Sequence, residues 1–209
     1  MEKTLHAYSG FGIQVKIADL IEINGVKIKR VKEIFTTQEI KQLEENIPTN
    51  PNSRHILIII FTGMRTGEYI SLTKDKINFD KNEITHFGIK TEAGQNRKMF
   101  IHPRIRKRFI ELSLESKSGA IVEYDGKPIS YNAQFYNKIH YLTLKKAGVK
   151  RKIPYSCRYT FATIAYISGV DKKALQNLMG HTNFGITANS YIQNNGLDEF
   201  IYKELKKIQ

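Results

Sequence analysis

Hydrophobic and polar positions follow two periods along this chain, and the switches between them mark its elements. The first sustained helical spacing begins at Phe35-Thr36-Thr37-Gln38-Glu39-Ile40. There a Thr N-cap, a Glu three residues on and the Phe35/Ile40 pair predict a capping box with a hydrophobic staple. Ile47-Pro48 closes that helix. After NPNS a second helix carries RHILIIIF, apolar on so many sides that it must be buried, and Gly63 ends it. A short helix is predicted over 65–72. The spacing then changes to two: INFD, EITHFGIK and RKMFIHP, separated by DKN and AGQN, predict a three-stranded antiparallel sheet.

After Pro103 the helical period returns in RIRKRFIELSLE, followed by a helix capped by Ser130 with Phe135, Ile139 and Leu142 on one face and Gly148 at its end. Pro154 suits the first turn of the next helix, which Gly169 ends, and Asp171 caps ALQNLM up to Gly180. The tail LDEFIYKELKKI sets Leu197, Ile201, Leu205 and Ile208 on one stripe, which predicts an amphipathic helix over 197–208. The expected class is α+β, mainly α-helical, with a small three-stranded antiparallel sheet. Residues 1–30 hold no period and read as a linker or truncated N-terminal edge before a domain over 31–209.

Composition narrows the partners. With 33 Lys and Arg against 20 Asp and Glu, the net charge of +13 on 209 residues points to a polyanion, nucleic acid above all. Cys157 is the single cysteine, which excludes an internal disulfide or a cysteine-based zinc cluster and reads as a core thiol in a reducing compartment. The longest apolar run, 56–61, is far too short to span a membrane, and the N-terminus lacks the apolar stretch of a secretory signal. A cytoplasmic, nucleoid-associated location is expected.

Four separated segments collect groups suited to phosphate chemistry: TGMRTGE around Arg65, GIKTEAGQNRKMF around Lys90, IPYSCRYTFAT around Arg158, and LMGHTNFGITANSYIQ with His181 and Tyr191. A guanidinium donates two parallel bonds to phosphate oxygens in a fork that lysine cannot copy. Tyr155 and Arg158 stand three apart on one helix and so share a face. Each segment alone is weak, because a lone Arg, His or Tyr is most often structural; the ordered set is strong. In that order and spacing the segments resemble the phage integrase, or tyrosine recombinase, family over roughly 31–209. That family carries T-G-[LM]-R-x-x-E, a hairpin lysine, H-x-x-R, then L-G-H and a Tyr. GITANSYIQ resembles the integrases of conjugative transposons.

The resemblance implies the tyrosine recombinase catalytic fold and a DNA strand transferase. Tyr191 would attack the scissile phosphate, Arg65, Arg158 and His181 would stabilise the transition-state charge, and Lys90 would protonate the departing 5′ oxygen. The phosphotyrosyl ester keeps the bond energy, so no ATP, metal or other cofactor is implied. Glu68 matches the family's acidic position and reads either as support for Arg65 or as a solvated helix charge. Lys98 is the substitute if Lys90 is merely an edge-strand lysine. At Tyr155 the sequence departs from the family, which places His there; a phenol titrating near about 10 cannot shuttle protons at neutrality. Tyr155 reads either as an orienting donor or as a packed core aromatic.

Three basic runs are expected to follow the DNA backbone or to form solvated helix faces: Arg104, Arg106, Lys107 and Arg108; Lys145 and Lys146; Lys150, Arg151 and Lys152. The resemblance further implies double-stranded DNA as partner, an N-terminal core-binding domain that 1–30 does not resemble, and a tail that docks on a neighbour in a cyclic tetramer; packing in cis is the alternative. The expected activity is site-specific recombination in the integration of a mobile element. A non-cleaving DNA-binding homologue and a type IB topoisomerase-like enzyme are the competing readings, while a basic RNA-binding protein would explain the charge but none of the motifs.

Overall fold

The computed structural model describes residues 33–88, 98–180 and 197–208. Helix α1 (Thr37–Glu45) starts with the predicted capping box: Thr36 Oγ1 accepts from the Glu39 N–H at 3.2 Å, and Glu39 Oε2 accepts from the Thr36 N–H at 2.8 Å. Phe35 and Ile40, either side of this cap, are both buried. Helix α2 (Ser53–Thr62) is buried along its whole length, as its all-round apolar surface demands. Two of its charged or titratable side chains are paired in place, while the buried Ser53 hydroxyl has no partner among the described residues. Arg54 forks onto Glu115 with bonds of 2.7 and 2.6 Å, and His55 Nδ1 lies 2.7 Å from the Tyr69 hydroxyl of the short helix α3 (Thr66–Ile70).

Strands β1 (Ile77–Asn78), β2 (Glu83–Thr85) and β3 (Lys98–Phe100) form the expected antiparallel sheet in that order. Ile77 faces Ile84, which faces Met99; all three are buried, so this face of the sheet belongs to the core. The second strand is shorter than its sequence pattern, because His86 takes a left-handed φ of +55° and ends it. Helix α4 (Pro103–Glu115) follows, capped by His102, whose Nδ1 accepts from the Arg104 N–H at 3.2 Å. Next comes a hairpin that the sequence reading missed: β4 (Glu123–Tyr124) pairs with β5 (Lys127–Pro128) across Asp125-Gly126, at φ +54° and +70°. Asp-Gly is a strong hairpin signal, but strands this short carry no alternation to go with it.

The helix over 132–146 differs from its prediction in phase. Helix α5 (Asn132–Phe135) passes through a π-helical turn (Tyr136–His140) into α6 (Tyr141–Lys146). The wider turn advances the buried face. Phe135 and Ile139 point inward as expected, yet Leu142 is 47% exposed and His140, Thr143 and Leu144 take the inside. Ser130 is not the cap: Tyr131 holds that position, and the Ser130 N–H donates to Gln134 Oε1 at 3.2 Å.

Helix α7 (Tyr155–Ile167) follows Pro154, and α8 (Lys172–Met179) is capped by Asp171, whose Oδ1 accepts from the Lys173 and Ala174 N–H groups. Helix α9 (Leu197–Leu205) closes the order. The buried α2 packs on α1, α4 and α7, and α8 lies against α7 and α9. Ile201, Leu205 and Ile208 are buried within this same chain, so the tail packs in cis here. His102 completes that docking: with Nδ1 already an acceptor, its Nε2–H donates to the Ile208 carbonyl at 2.7 Å. The class is α+β and mainly helical, as read from the sequence. The linker expected at 1–30 lies outside the described residues.

Buried histidines give this fold an acid limit. Burial pushes His55 down to about 3 and His140 to about 4, and holds His102 below its usual value. Unfolded histidine titrates near about 6.5. Below that pH the unfolded chain binds protons that the folded chain refuses, so stability is complete above it and falls toward pH 4. The slope reaches up to about 1.4 kcal/mol per pH unit for each histidine kept neutral. Urea midpoints between pH 7.5 and 4.5 should decline accordingly, and His55→Gln should remove about one proton from the dependence; a flat profile would contradict this account.

Candidate active site

Arg158, in the first turn of α7, is 1% exposed. A buried guanidinium needs hydrogen bonds to offset its lost hydration. Its two terminal nitrogens donate to the carbonyls of Gly63 and Met179. Those carbonyls belong to the C-terminal ends of α2 and α8, where acceptors without intrahelical partners and the negative end of the helix dipole coincide. Both helices end in a left-handed glycine, Gly63 at φ +63° and Gly180 at φ +60°. At Gly63 a Cβ would stand 2.4 Å from Phe161 Cδ1, so α2 can end this close to α7 only with glycine. The sequence showed both glycines as helix ends, but not that Arg158 joins them.

Arg65 opens α3 and reaches the same place from the other side. Glu68 accepts from the Arg65 guanidinium at 2.8 Å through Oε1 and from its backbone N–H at 2.9 Å through Oε2. Glu68 is buried, and so is not a solvated helix charge; one carboxylate holds the turn and the side chain of Arg65 together. The second guanidinium nitrogen of Arg65 lies 3.5 Å from the Gly180 carbonyl. The two arginines thus meet consecutive carbonyls, Met179 and Gly180, directly before His181 in the chain.

The electrostatics of this pair favour an anion. Burial weakens the hold of Arg158 on its proton and Arg65 weakens it further, while Tyr155 and Glu68 oppose both. The guanidinium stays protonated regardless. Its terminal nitrogens bond neutral carbonyls, the Tyr155 side chain also hydrogen-bonds it, and its buried Nε–H has no acceptor among the described residues. A buried cation beside a second, half-exposed cation is stabilised by an anion that bridges them.

Tyr155 is 41% exposed, with its ring edge-on to Tyr159 at 4.9 Å between centroids. It stands at the rim of this site, not packed in the core. Cys157, two residues on, is fully buried, and burial pushes its thiol well up, as befits a core thiol. Beside Arg65, α3 forms one wall of an open cleft of about 650 Å³, with Gly67 and Ser71 facing Ser130, Tyr131 and Asn132. Lys90, His181 and Tyr191 lie outside the described residues.

Residues 33–197 match the profile of the phage integrase family. The chain belongs to that family. The tyrosine recombinase XerC of Staphylococcus aureus (strain bovine RF122 / ET3-1) is 28% identical over 174 residues, covering 77% of this chain and 57% of XerC. The tyrosine recombinase XerA of Thermococcus kodakarensis is 29% identical over 167 residues, covering 76% and 57%. The chain therefore spans less than two thirds of these relatives. Among solved structures, the Tn1549 transposon integrase in complex with circular intermediate DNA has a TM-score of 0.59 at 22% identity, covering 87% of this chain and 66% of that one. A XerA recombinase crystal structure has a TM-score of 0.60 at 19% identity, with coverage of 85% and 66%. The fold of this phage integrase family member is thus that of tyrosine recombinase catalytic domains.

The basic runs of this integrase-family chain divide once their partners are seen, and the arginines of 104–108 have partners within the chain. Arg104 and Arg108 both bond the Glu44 carboxylate at 3.2 Å, and Arg104 also lies 4.7 Å over the Phe61 ring. Arg106 donates to Asn82 Oδ1 at 2.8 Å and to the Phe79 carbonyl at 3.2 Å. One turn of helix separates 104 from 108, so both reach α1, and these arginines tie α4 to α1 and to the β1–β2 turn. Lys107, on the outer side, keeps an 88% exposed side chain. Lys145 and Lys146 are exposed, Lys150 pairs with Glu33 at 2.8 Å, and Arg151 stacks 3.7 Å over the Tyr141 ring. Lys152 is buried against Glu39, which withdraws its ammonium from solvent.

The close approach at Gly63 can be tested by itself. Gly63→Ala forces a side chain into left-handed backbone and against Phe161, and should cost roughly 2–4 kcal/mol in denaturant unfolding. Phe161→Leu added to it should recover part of that loss. An unchanged midpoint for Gly63→Ala would show that α2 and α7 do not meet as described.

Proposed function

We propose that the chain is the catalytic part of a site-specific DNA recombinase, cutting and rejoining strands through a 3′-phosphotyrosyl link in the integration of a mobile element. The observation that carries this reading is the pair Arg65 and Arg158, converging on the two carbonyls that lead into His181. A site that holds one anion between two guanidinium groups, with an imidazole next in the chain, suits a phosphodiester. The names of the relatives, tyrosine recombinases, and a family likeness that includes a transposon integrase bound to DNA support it.

In this reading the Tyr191 oxygen attacks the scissile phosphorus and the bond to the 5′ oxygen breaks. Lys90 gives the leaving oxygen its proton, while Arg65, Arg158 and His181 stabilise the charge of the transition state. A 5′-hydroxyl from a second strand then attacks the phosphotyrosine and restores a phosphodiester, so bond energy is conserved throughout. Glu68 keeps Arg65 aimed, and Tyr155 acts as an orienting donor at the rim instead of a base. Lys107, Lys145, Lys146 and Arg151 are the exposed cations offered to the backbone of double-stranded DNA.

On DNA the proposed assembly is a cyclic tetramer joined by α9. Exchange would unpack Ile201, Leu205 and Ile208 from their own chain and bury them on the neighbour, at little net cost in apolar area. The proposed location is the nucleoid of the cytoplasm; among the described residues no helix is long and apolar enough to cross a membrane.

A nicked suicide substrate carrying the cognate site tests the reading. The parental chain should form a covalent adduct that survives denaturation, and Tyr191→Phe should form none. Arg65→Ala and Arg158→Ala should bind DNA yet cleave slower by about 10²–10³. Absence of a parental adduct would leave a non-cleaving DNA-binding homologue, and relaxation of plasmid supercoils without strand exchange would mark a topoisomerase. Tyr155→His adds a group titrating near about 6.5 and should give the cleavage rate a new pH dependence around neutrality. An unchanged profile and rate would remove position 155 from the chemistry.

A further inference from the structure

Lys152 stands three residues before Tyr155 and, unlike the exposed Lys145 and Lys146, has a side chain only 6% exposed. Burying an ammonium costs several kcal/mol unless it is paired. Here the Glu39 carboxylate pairs with it, and the Phe35 ring lies 5.3 Å beneath it. Both partners come from the start of α1. The same segment grips α7 directly: the Phe35 N–H donates to Thr160 Oγ1 at 2.8 Å, two residues beyond Arg158.

A further hold acts on the Lys152 backbone. His140 donates its Nε2–H to the Lys152 carbonyl at 2.9 Å, and since a carbonyl only accepts, the proton is on Nε2. His140 reaches this carbonyl because the π-helical turn brings it to the buried face. Lys152 is therefore held at its ammonium by α1 and at its carbonyl by the helix over 132–146. Ile153 and Pro154 then lead into α7 with Tyr155 and Arg158.

We propose that Lys152 is a positioning residue for strand cleavage: its ion pair with Glu39 and its bond from His140 set where α7 begins, and thereby where Tyr155 and Arg158 meet the scissile phosphate. The inference rests on the strand-cleavage reading above. A lysine that contacted phosphate would act on affinity and its salt dependence, with a slope contribution of about one. A positioning lysine acts on the chemical step, where a displacement of about 1 Å can cost about 100-fold.

The test uses Lys152→Met, Glu39→Gln and the charge swap Glu39→Lys with Lys152→Glu, measuring single-turnover cleavage of the nicked substrate at saturation, DNA affinity against salt, and melting temperature. Each single variant should cleave about tenfold slower with affinity and salt slope unchanged, and the swap should return to within about threefold of the parental rate. Lys152→Met cleaving at the parental rate while its salt slope falls by about one would identify a phosphate contact and overturn the proposal. A swap as slow as the single variants, with losses that follow melting temperature, would overturn it as well by marking a purely structural pair. Absence of a parental adduct defeats the strand-cleavage reading itself, and this inference with it; a normal parental rate beside an unaffected Lys152→Met defeats the inference alone.

Discussion

The guanidinium of Arg158 is held by the C-terminal ends of two helices, through Gly63 of α2 and Met179 of α8, and much of the architecture follows from keeping it there. Helix ends can serve a buried cation because their last carbonyls lack partners and carry the negative end of the dipole. For both ends to reach one side chain, α2 must run through the core with every face covered, and it must stop abruptly against Phe161. The same arrangement leaves the cation incompletely satisfied. Two neutral carbonyl acceptors and a neighbouring Arg65, only partly offset by Glu68, make it a site that an anion would stabilise.

A net charge of +13 suggests a surface coated with cations, but several basic groups are paired with carboxylates of the same chain. Arg54 bonds Glu115, Arg104 and Arg108 share Glu44, and Lys152 meets Glu39. Each of these pairs joins segments remote in sequence. Exposed ion pairs contribute little to stability, so the weight falls on Arg54 and Lys152, whose cations are buried. Among the described residues, the basic runs leave fewer cations without a partner than the sequence implies.

The features legible in the sequence were those decided within a few residues. The Thr36 to Glu39 capping box, the burial of RHILIIIF, the glycines that end α2 and α8, and the Asp171 cap all depend on local hydrogen bonding or on period, and each occurs where its pattern is found. The order of the motifs pointed to the family whose profile residues 33–197 match. For Lys90, His181 and Tyr191 the sequence is still the ground of assignment.

Tertiary packing decided what local pattern could not carry. An extra residue in one turn of the helix over 132–146 turned Leu142 outward and His140 inward, an outcome set by what the core had room for and not by the spacing of apolar residues. Arg104, Arg108 and Lys152 read as a DNA surface because a long basic side chain looks the same in sequence whether it faces water or a carboxylate sixty or more residues away. Sequence alone determined which helices exist and which family motifs the chain carries. Only the folded chain decided which cations stay free, because pairing depends on distances that close when remote segments pack together.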